Sequence, residues 1–334
     1  MKRTLFVAVL AVTVCSGLSQ TTSADTPDGR RAVVARVAEL LDARYVDAEK
    51  GKALARQIRR DSTARRWPEI SSDEEFAKTV TVRLRELSKD GHLSLDYSAK
   101  EMAADAESAE EAFGADEFEK WYGVGVNHGF EEFSRFEGNI GYLKLTVFAP
   151  PSMGADLAVA AMSLLAQSDA LIIDLRKNGG GDGAMGKLLA GYLLDGAREM
   201  SGTYDRPTDT LTRAFSAEWV PGRRFGAEKP VYLLIGHRTF SAAEAFAYDL
   251  QALKRAIVVG EPSGGGAHPF EYRRAGTHFA LSLPEGRSIN PITGKDWESV
   301  GVQPDVPVPE AQALEKALEL ARRRLEAKRQ RSSG

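Results

Sequence analysis

One cysteine in 334 residues, Cys15, leaves no pair for a disulfide and too few thiols for a cysteine metal site. If the N-terminal segment is removed, as argued below, the mature chain has no thiol at all. That excludes thiol-protease chemistry and leaves stability to packing, which a chain of this length permits. An excess of charge of one sign is also lacking. The 44 lysines and arginines against 47 acidic residues give a net charge of −3, which argues against a dedicated binder of nucleic acid or anionic membranes. The five histidines show no HExxH spacing, no Gly-Lys-Ser/Thr follows a glycine run, and no solenoid-type period recurs. A zinc centre, a phosphate loop and a repeat architecture are therefore disfavoured, and no cofactor is expected.

What is present is a globular composition, 43% apolar and 27% charged, long enough for one substantial core with a small accessory domain. At the N-terminus, Lys2 and Arg3 precede an apolar run from Leu5 to Val14, followed by small and polar residues to Ala24. This run is shorter than the roughly 20 residues of a membrane-spanning helix, so residues 1–24 read as a secretory signal peptide cleaved before Asp25. The expected product is exported, periplasmic or secreted, without a stable membrane span. An uncleaved anchor and lipidation at Cys15 are the other readings of the same residues.

Helical spacing of Val33, Val37, Leu40 and Leu41, and later of Phe76, Val80, Val82, Leu84 and Leu87, predicts a small helical N-terminal domain over 25–98. Asp90-Gly91 stops the last helix, and His92 to Tyr97 alternates polar and apolar as a strand does, with His92, Ser94 and Asp96 on one face. Residues 99–138 read as an acidic connecting segment, with a strand from Tyr122 to Val126. From 139 to 310 strands and helices alternate, so the fold class is α/β. Strands are predicted at 140–148, 170–175, 231–235 and 257–260, and helices at 154–165, 185–194 and 241–253. Residues 311–334 form a charged C-terminal helix and tail, a packing or surface helix rather than a nucleic-acid arm.

A serine hydroxyl attacks a carbonyl only when a base takes its proton and donors stabilise the resulting oxyanion. Ser241 lies at a strand-to-helix turn, where free amides and the helix dipole favour negative charge. Ser241-Ala242-Ala243-Glu244 is also a capping-box pattern, in which the serine merely caps the helix. The run Asn178-Gly179-Gly180-Gly181 closes a buried strand with glycines that let backbone amides approach a ligand, or simply make a tight turn. His92, on a strand face with Ser94 and Asp96, is the leading candidate base. His237, four residues before Ser241, and His268, after the second glycine run, remain open.

Three separated segments carry a resemblance: Leu171-Ile172-Ile173-Asp174-Leu175-Arg176-Lys177-Asn178-Gly179-Gly180-Gly181, Thr239-Phe240-Ser241-Ala242-Ala243-Glu244-Ala245-Phe246, and Val258-Val259-Gly260-Glu261-Pro262-Ser263-Gly264-Gly265-Gly266. With Asp296 to Asp305 they resemble the tail-specific, or carboxyl-terminal processing, serine protease family over roughly residues 139–308. The resemblance implies a Clp-protease/crotonase-like core of stacked sheets and flanking helices, a peptide or protein substrate, and a serine nucleophile. In one branch the base is a lysine, at a position that here reads Gly266. The branch containing the tricorn core and the interphotoreceptor retinoid-binding repeats is closer, since Asp90-Gly91-His92 and Glu298 match its histidine and glutamate segments, with Gly91 where those sites carry a serine. The interval from Tyr97 to Asn139 is too short for a PDZ domain.

The resemblance thus implies Ser241 as nucleophile, His92 as base and Glu298 as its orienting carboxylate. It also implies Ala242 with Gly180 or Gly179 as oxyanion donors, and Gly264, Gly265 and Gly266 as substrate-binding. A non-catalytic carrier of an apolar ligand and a crotonase-like acyl-thioester enzyme are the rival expectations.

Overall fold

The computed structural model describes residues 27–63, 67, 70–102 and 114–332. The expected leader, with Cys15, and part of the acidic connecting segment lie outside them. Three helices come first: α1 (Pro27–Arg44), α2 (Ala48–Thr63) and α3 (Asp73–Ser88). Ser72 caps α3 by accepting the Glu75 N–H, and three acidic residues fill its first turn, where the helix dipole favours them.

The first strand, β1 (Ser94–Tyr97), pairs antiparallel with β10 (Phe279–Pro284), which pairs with β9 (Phe270–Gly276). Phe76, Val80 and Leu84 of α3 pack with Leu93, Leu95, Phe279, Leu281 and Leu283 in one buried cluster. The N-terminal helices therefore share their core with strands from the far end of the chain. His92 lies just before β1, in the turn, and not within the strand.

The main sheet has six strands in the order β12 (Val306–Pro307), β8 (Ile257–Gly260), β7 (Val231–Ile235), β4 (Ala170–Asp174), β3 (Ile140–Leu145) and β2 (Phe130–Phe136). All neighbours are parallel except the β2–β3 hairpin at the edge. Every residue of β4 and β7 is buried, as expected of central strands covered on both faces. Leu171, Ile173, Leu233 and Ile235 face α5 (Pro151–Leu165), α6 (Gly183–Leu193) and α7 (Ala242–Ala252). Ile172, Tyr232 and Leu234 face α8 (Ala313–Ser332) through Ala313, Ala317, Ala321 and Leu325, a stripe repeating every four residues. The charged C-terminal helix is thus a packing helix that roofs one face of the sheet.

Two differences from the expectations stand out. Tyr122 to Val126 is not a strand: Tyr122 ends α4 (Ala115–Tyr122), and residues 124–129 form a 3-10 segment in which Asn127 and His128 take positive φ. Glycines at 123, 125 and 129 break up the apolar alternation, and His128 Nδ1 lies 2.6 Å from the Tyr122 carbonyl, closing the turn. In addition, β5 (Glu199–Asp205), β6 (Thr210–Phe215) and β11 (Gly286–Ile289) form a three-stranded antiparallel sheet, in the order β11-β5-β6, that the sequence pattern had not marked. Among the described residues, the stretch between Tyr97 and Asn139 carries only α4, the 3-10 segment and β2.

Candidate active site

Open parallel sheets place ligands outside the carboxyl ends of their strands, and three chain segments meet at that edge here. After β4, Asn178 is fully buried, donates its amide N–H to the Leu145 carbonyl and accepts the Gly180 N–H at 2.9 Å. After β7, Thr239 donates to the Leu175 carbonyl and accepts the Gly236 N–H, while the Phe240 N–H bonds the Asn178 carbonyl. These bonds tie the second segment onto the first and deliver Ser241 to the start of α7.

Ser241 has φ 54° and ψ −122°. A non-glycine residue at such angles costs on the order of 1–3 kcal/mol and persists only where its surroundings enforce it. The enforcing group is Glu244, completely buried, whose Oε2 accepts the Ser241 N–H at 2.8 Å. The capping-box reading is therefore correct for Glu244, and it does not compete with catalysis, because it sets the backbone that presents Ser241.

Glu244 also suspends the third segment, after β8. Its Oε1 accepts the Ser263 hydroxyl (2.5 Å) and the Gly265 N–H (2.7 Å), and its Oε2 accepts the Gly266 N–H (2.8 Å). Burial pushes the Glu244 carboxyl above its ordinary range, and the four donors oppose that push. One carboxylate thus joins the serine turn to the glycine loop.

Gly180 packs so closely on the serine that a Cβ there would lie 2.8 Å from Ser241 Cβ and 3.2 Å from the Ala242 nitrogen, at φ +103°. Its N–H is engaged by Asn178, and the Gly179 N–H points to the Thr146 carbonyl at 3.4 Å. Of the expected oxyanion donors, Ala242 N–H takes no hydrogen bond among the described residues, whereas both glycine amides are already occupied.

His92 is 7% exposed, and neither ring nitrogen has a hydrogen-bond partner. The ring lies against Phe240, the residue preceding Ser241, at 4.6 Å between centroids, and against Phe270 at 5.3 Å. A Cβ on Gly266 would stand 2.7 Å from His92 Cε1, so the glycine makes room for the imidazole. Burial lowers the His92 pKa to about 4, which leaves the ring neutral at pH 7.

Glu298 does not touch His92 here. Its Oε2 accepts the Ala267 N–H at 2.7 Å and lies 3.7 Å from His268 Nδ1, while its Oε1 is buried without a partner. Burial, reinforced by Asp90, raises its pKa to about 7. The carboxylate bonded to the His92 backbone is instead Asp90, which the sequence reading placed in the Asp-x-His segment without giving it a role. Asp90 Oδ1 accepts the His92 backbone N–H (3.0 Å), and Oδ2 accepts from Tyr45 OH (3.0 Å) and pairs with His268 Nδ1 (2.8 Å).

His268 is held between Asp90 and Glu298, and these carboxylates outweigh its burial and raise its pKa. The three side chains could offer ligand atoms to a metal; here His268 bonds Asp90, whereas Glu298 lies 3.7 Å from the ring and keeps Oε1 unpartnered. The third candidate base, His237, is 71% exposed and lies 3.6 Å from Glu261 on the surface.

Ser241, Ala242, His92, His268 and Gly266 all line one cavity of about 430 Å³, and no hydrogen bond joins Ser241 to His92, whose ring nitrogens are both buried. That volume falls in the range of small-ligand and side-chain pockets. Gly179, Gly180, Gly264, Gly265 and Glu298 are not among the residues that line the cavity. The Asp-x-His spacing was the available signal for Asp90. Nothing in the sequence links Asp90 to His268, far along the chain.

The comparisons with known proteins match these segments. The sequence pattern of peptidase family S41 covers residues 139–308, and that of the N-terminal domain of peptidase S41 in eukaryotic IRBP covers 26–118. The chain is 30% identical over 181 residues to the chloroplastic carboxyl-terminal-processing peptidase 2 of Arabidopsis thaliana, covering 52% of this chain and 32% of that one. It is 31% identical over 193 residues to a carboxy-terminal-processing protease of Bartonella bacilliformis, covering 53% and 41%. It therefore spans less than half the length of the curated relatives it matches. Its fold is shared with a putative peptidase from Parabacteroides merdae, with a TM-score of 0.60 at 18% identity, over 89% of this chain and 96% of that one. With one family pattern spanning the three glycine and serine segments and another spanning the N-terminal helices and the turn that holds His92, the chain belongs to peptidase family S41.

Proposed function

We propose that the protein is an exported serine peptidase that hydrolyses peptide bonds through an acyl-enzyme on Ser241, with His92 as general base. The observation that carries this reading is a serine in strained backbone geometry opening a helix at a cavity that also holds an unpartnered, neutral imidazole. The neutral ring accepts the Ser241 proton as the hydroxyl oxygen attacks the substrate carbonyl. The Ala242 N–H, joined by a Gly180 N–H shared with Asn178, then stabilises the oxyanion. The imidazolium passes its proton to the departing amine, and a water, activated in the same way, releases the acyl group.

Asp90 takes the supporting place that the resemblance gave to Glu298. Its negative charge favours protonation of His92, against the burial that disfavours it. A second reading makes His268 the base, favoured by its bond to Asp90 and its place on the cavity wall. Against it, its Nδ1 is already bonded to Asp90 with Glu298 3.7 Å away, and both carboxylates favour the protonated ring over the neutral one that a base must present.

A fluorophosphonate probe applied to the purified protein tests the assignment. Wild type is expected to label at Ser241, Ser241→Ala to remain unlabelled, and His92→Ala to label far more slowly. An unlabelled wild type favours the apolar-ligand carrier instead, and labelling that survives His92→Ala but is lost in His268→Ala transfers the base role. Export rests on the basic and apolar pattern of residues 1–24. Protein recovered from producing cells is expected to begin at Asp25, and an intact Met1 terminus measured by mass spectrometry would overturn it.

A further inference from the structure

The cavity extends past the serine along α7, and it ends at a buried acid. Ser241, Ala245 and Asp249 follow one another at four-residue spacing, so they share a helix face, and all three line the cavity. Asp249 is 2% exposed. Its Oδ1 accepts three hydrogen bonds: the Ser201 N–H at 3.0 Å, the Ser201 hydroxyl at 2.6 Å and the Asn290 amide at 2.8 Å. These donors come from β5 and from the loop after β11, so the small antiparallel sheet clamps the carboxylate in one orientation.

Its Oδ2 accepts nothing among the described residues, yet it is not one of the sealed polar atoms, so it opens on the cavity. Asp249 forms no ion pair among the described residues. Lys187, on the same cavity wall, acts on it only at longer range.

We propose that Asp249 is a specificity-determining residue that selects a cationic side chain, lysine or arginine, at the substrate position immediately before the cleaved bond. The lengths agree. Eight residues of helix rise about 12 Å from Ser241 to Asp249. An extended lysine or arginine side chain reaches roughly 6–7 Å from its Cα. The bond from its Cα to the attacked carbonyl carbon and a charge-assisted hydrogen bond of about 2.8 Å bring the total close to that rise.

The walls between the two ends are Met200, Ala245 and Phe246, apolar surface suited to the methylene stem of such a side chain. Burial holds the Asp249 carboxyl above its usual range, a penalty that an arriving cation relieves.

This inference rests on the serine-peptidase reading, and the test separates the two. Binding of p-aminobenzamidine, followed by its fluorescence, needs Asp249 but not Ser241 chemistry. Wild type and Ser241→Ala are expected to bind it alike, and Asp249→Asn at least 10-fold more weakly. Fluorogenic peptides with lysine or arginine before the cleaved bond are expected to be hydrolysed at least 10-fold faster than the leucine peptide, and this preference disappears in Asp249→Asn. A wild type that reacts with fluorophosphonate but neither binds the amidine nor prefers basic peptides overturns the Asp249 inference alone. Amidine binding without fluorophosphonate reaction retains Asp249 as a cation site and overturns the catalytic reading. Because wild type is itself decisive, a poorly folding Asp249→Asn variant leaves the test intact.

Discussion

Replacing His92 by alanine is expected to lower kcat/KM for peptide hydrolysis about 10³–10⁴-fold, or about 4–5.5 kcal/mol of transition-state stabilisation. The loss is large because the other histidine lining the cavity, His268, has its Nδ1 bonded to Asp90 with Glu298 beside it, whereas both His92 ring nitrogens lack a partner. The pH profile carries the same signature. The base works as the neutral imidazole, which exists above its pKa of about 4, so wild-type kcat/KM is expected to rise through about pH 4 and hold above it. A rising limb centred near 7 would identify another group as the base.

Stability follows with its own sign. The unfolded histidine takes up a proton below about pH 6.5, whereas the folded one resists until about pH 4. In that window the unfolded state binds more protons, so this group makes stability fall as pH falls. Glu298 works in the opposite sense: with a folded pKa of about 7 it binds protons the unfolded chain has released, and its contribution is lost as pH rises towards 7. Melting curves of His92→Ala against wild type between pH 6.5 and 4 separate the two, the variant losing less stability on acidification.

The second large effect belongs to Glu244, which touches no substrate. Its removal in Glu244→Ala orphans the Ser241, Gly265 and Gly266 N–H groups and the Ser263 hydroxyl together. A buried donor left unmatched costs about 1–3 kcal/mol, so a loss of at least about 4 kcal/mol is expected, a large part of a typical 5–15 kcal/mol stability. Glu244→Gln should also be costly, since its amide nitrogen must then face two donors whichever way it turns. Urea unfolding and fluorophosphonate labelling measure both consequences. A Glu244→Ala protein that unfolds at the wild-type urea midpoint and labels normally would show that the joint between serine turn and glycine loop does not depend on this carboxylate.

The sequence carried much of the core in plain view. A nearly continuous apolar run such as Leu171 to Leu175, broken only by Asp174, admits little besides a buried parallel strand, and the turn before Ser241 followed by a helical pattern placed the serine at the start of a helix. The hairpins were harder. Strand β6 exposes most of its residues, so it shows no apolar alternation, and β5 mixes Gly202 with polar residues. The pairings of β1 with β10 and of Asp90 with His268 depend on contacts between chain ends, which local periodicity cannot encode. Glu298 illustrates the same limit from the other direction: its segment was recognisable, but its partner depends on where His268 sits.

The antiparallel register of Ser94 opposite Ser282 bears on when the protein becomes competent during its synthesis. The turn holding the imidazole has its carbonyl anchored by the Ser282 hydroxyl, and the side of Asp90 is closed by His268. On the proposed mechanism, a nascent chain still short of these residues holds Ser241 without the anchored imidazole that would take its proton. With His92 as the base, ribosome-bound and prematurely terminated products are expected to be inert until β10 has been made and folded back.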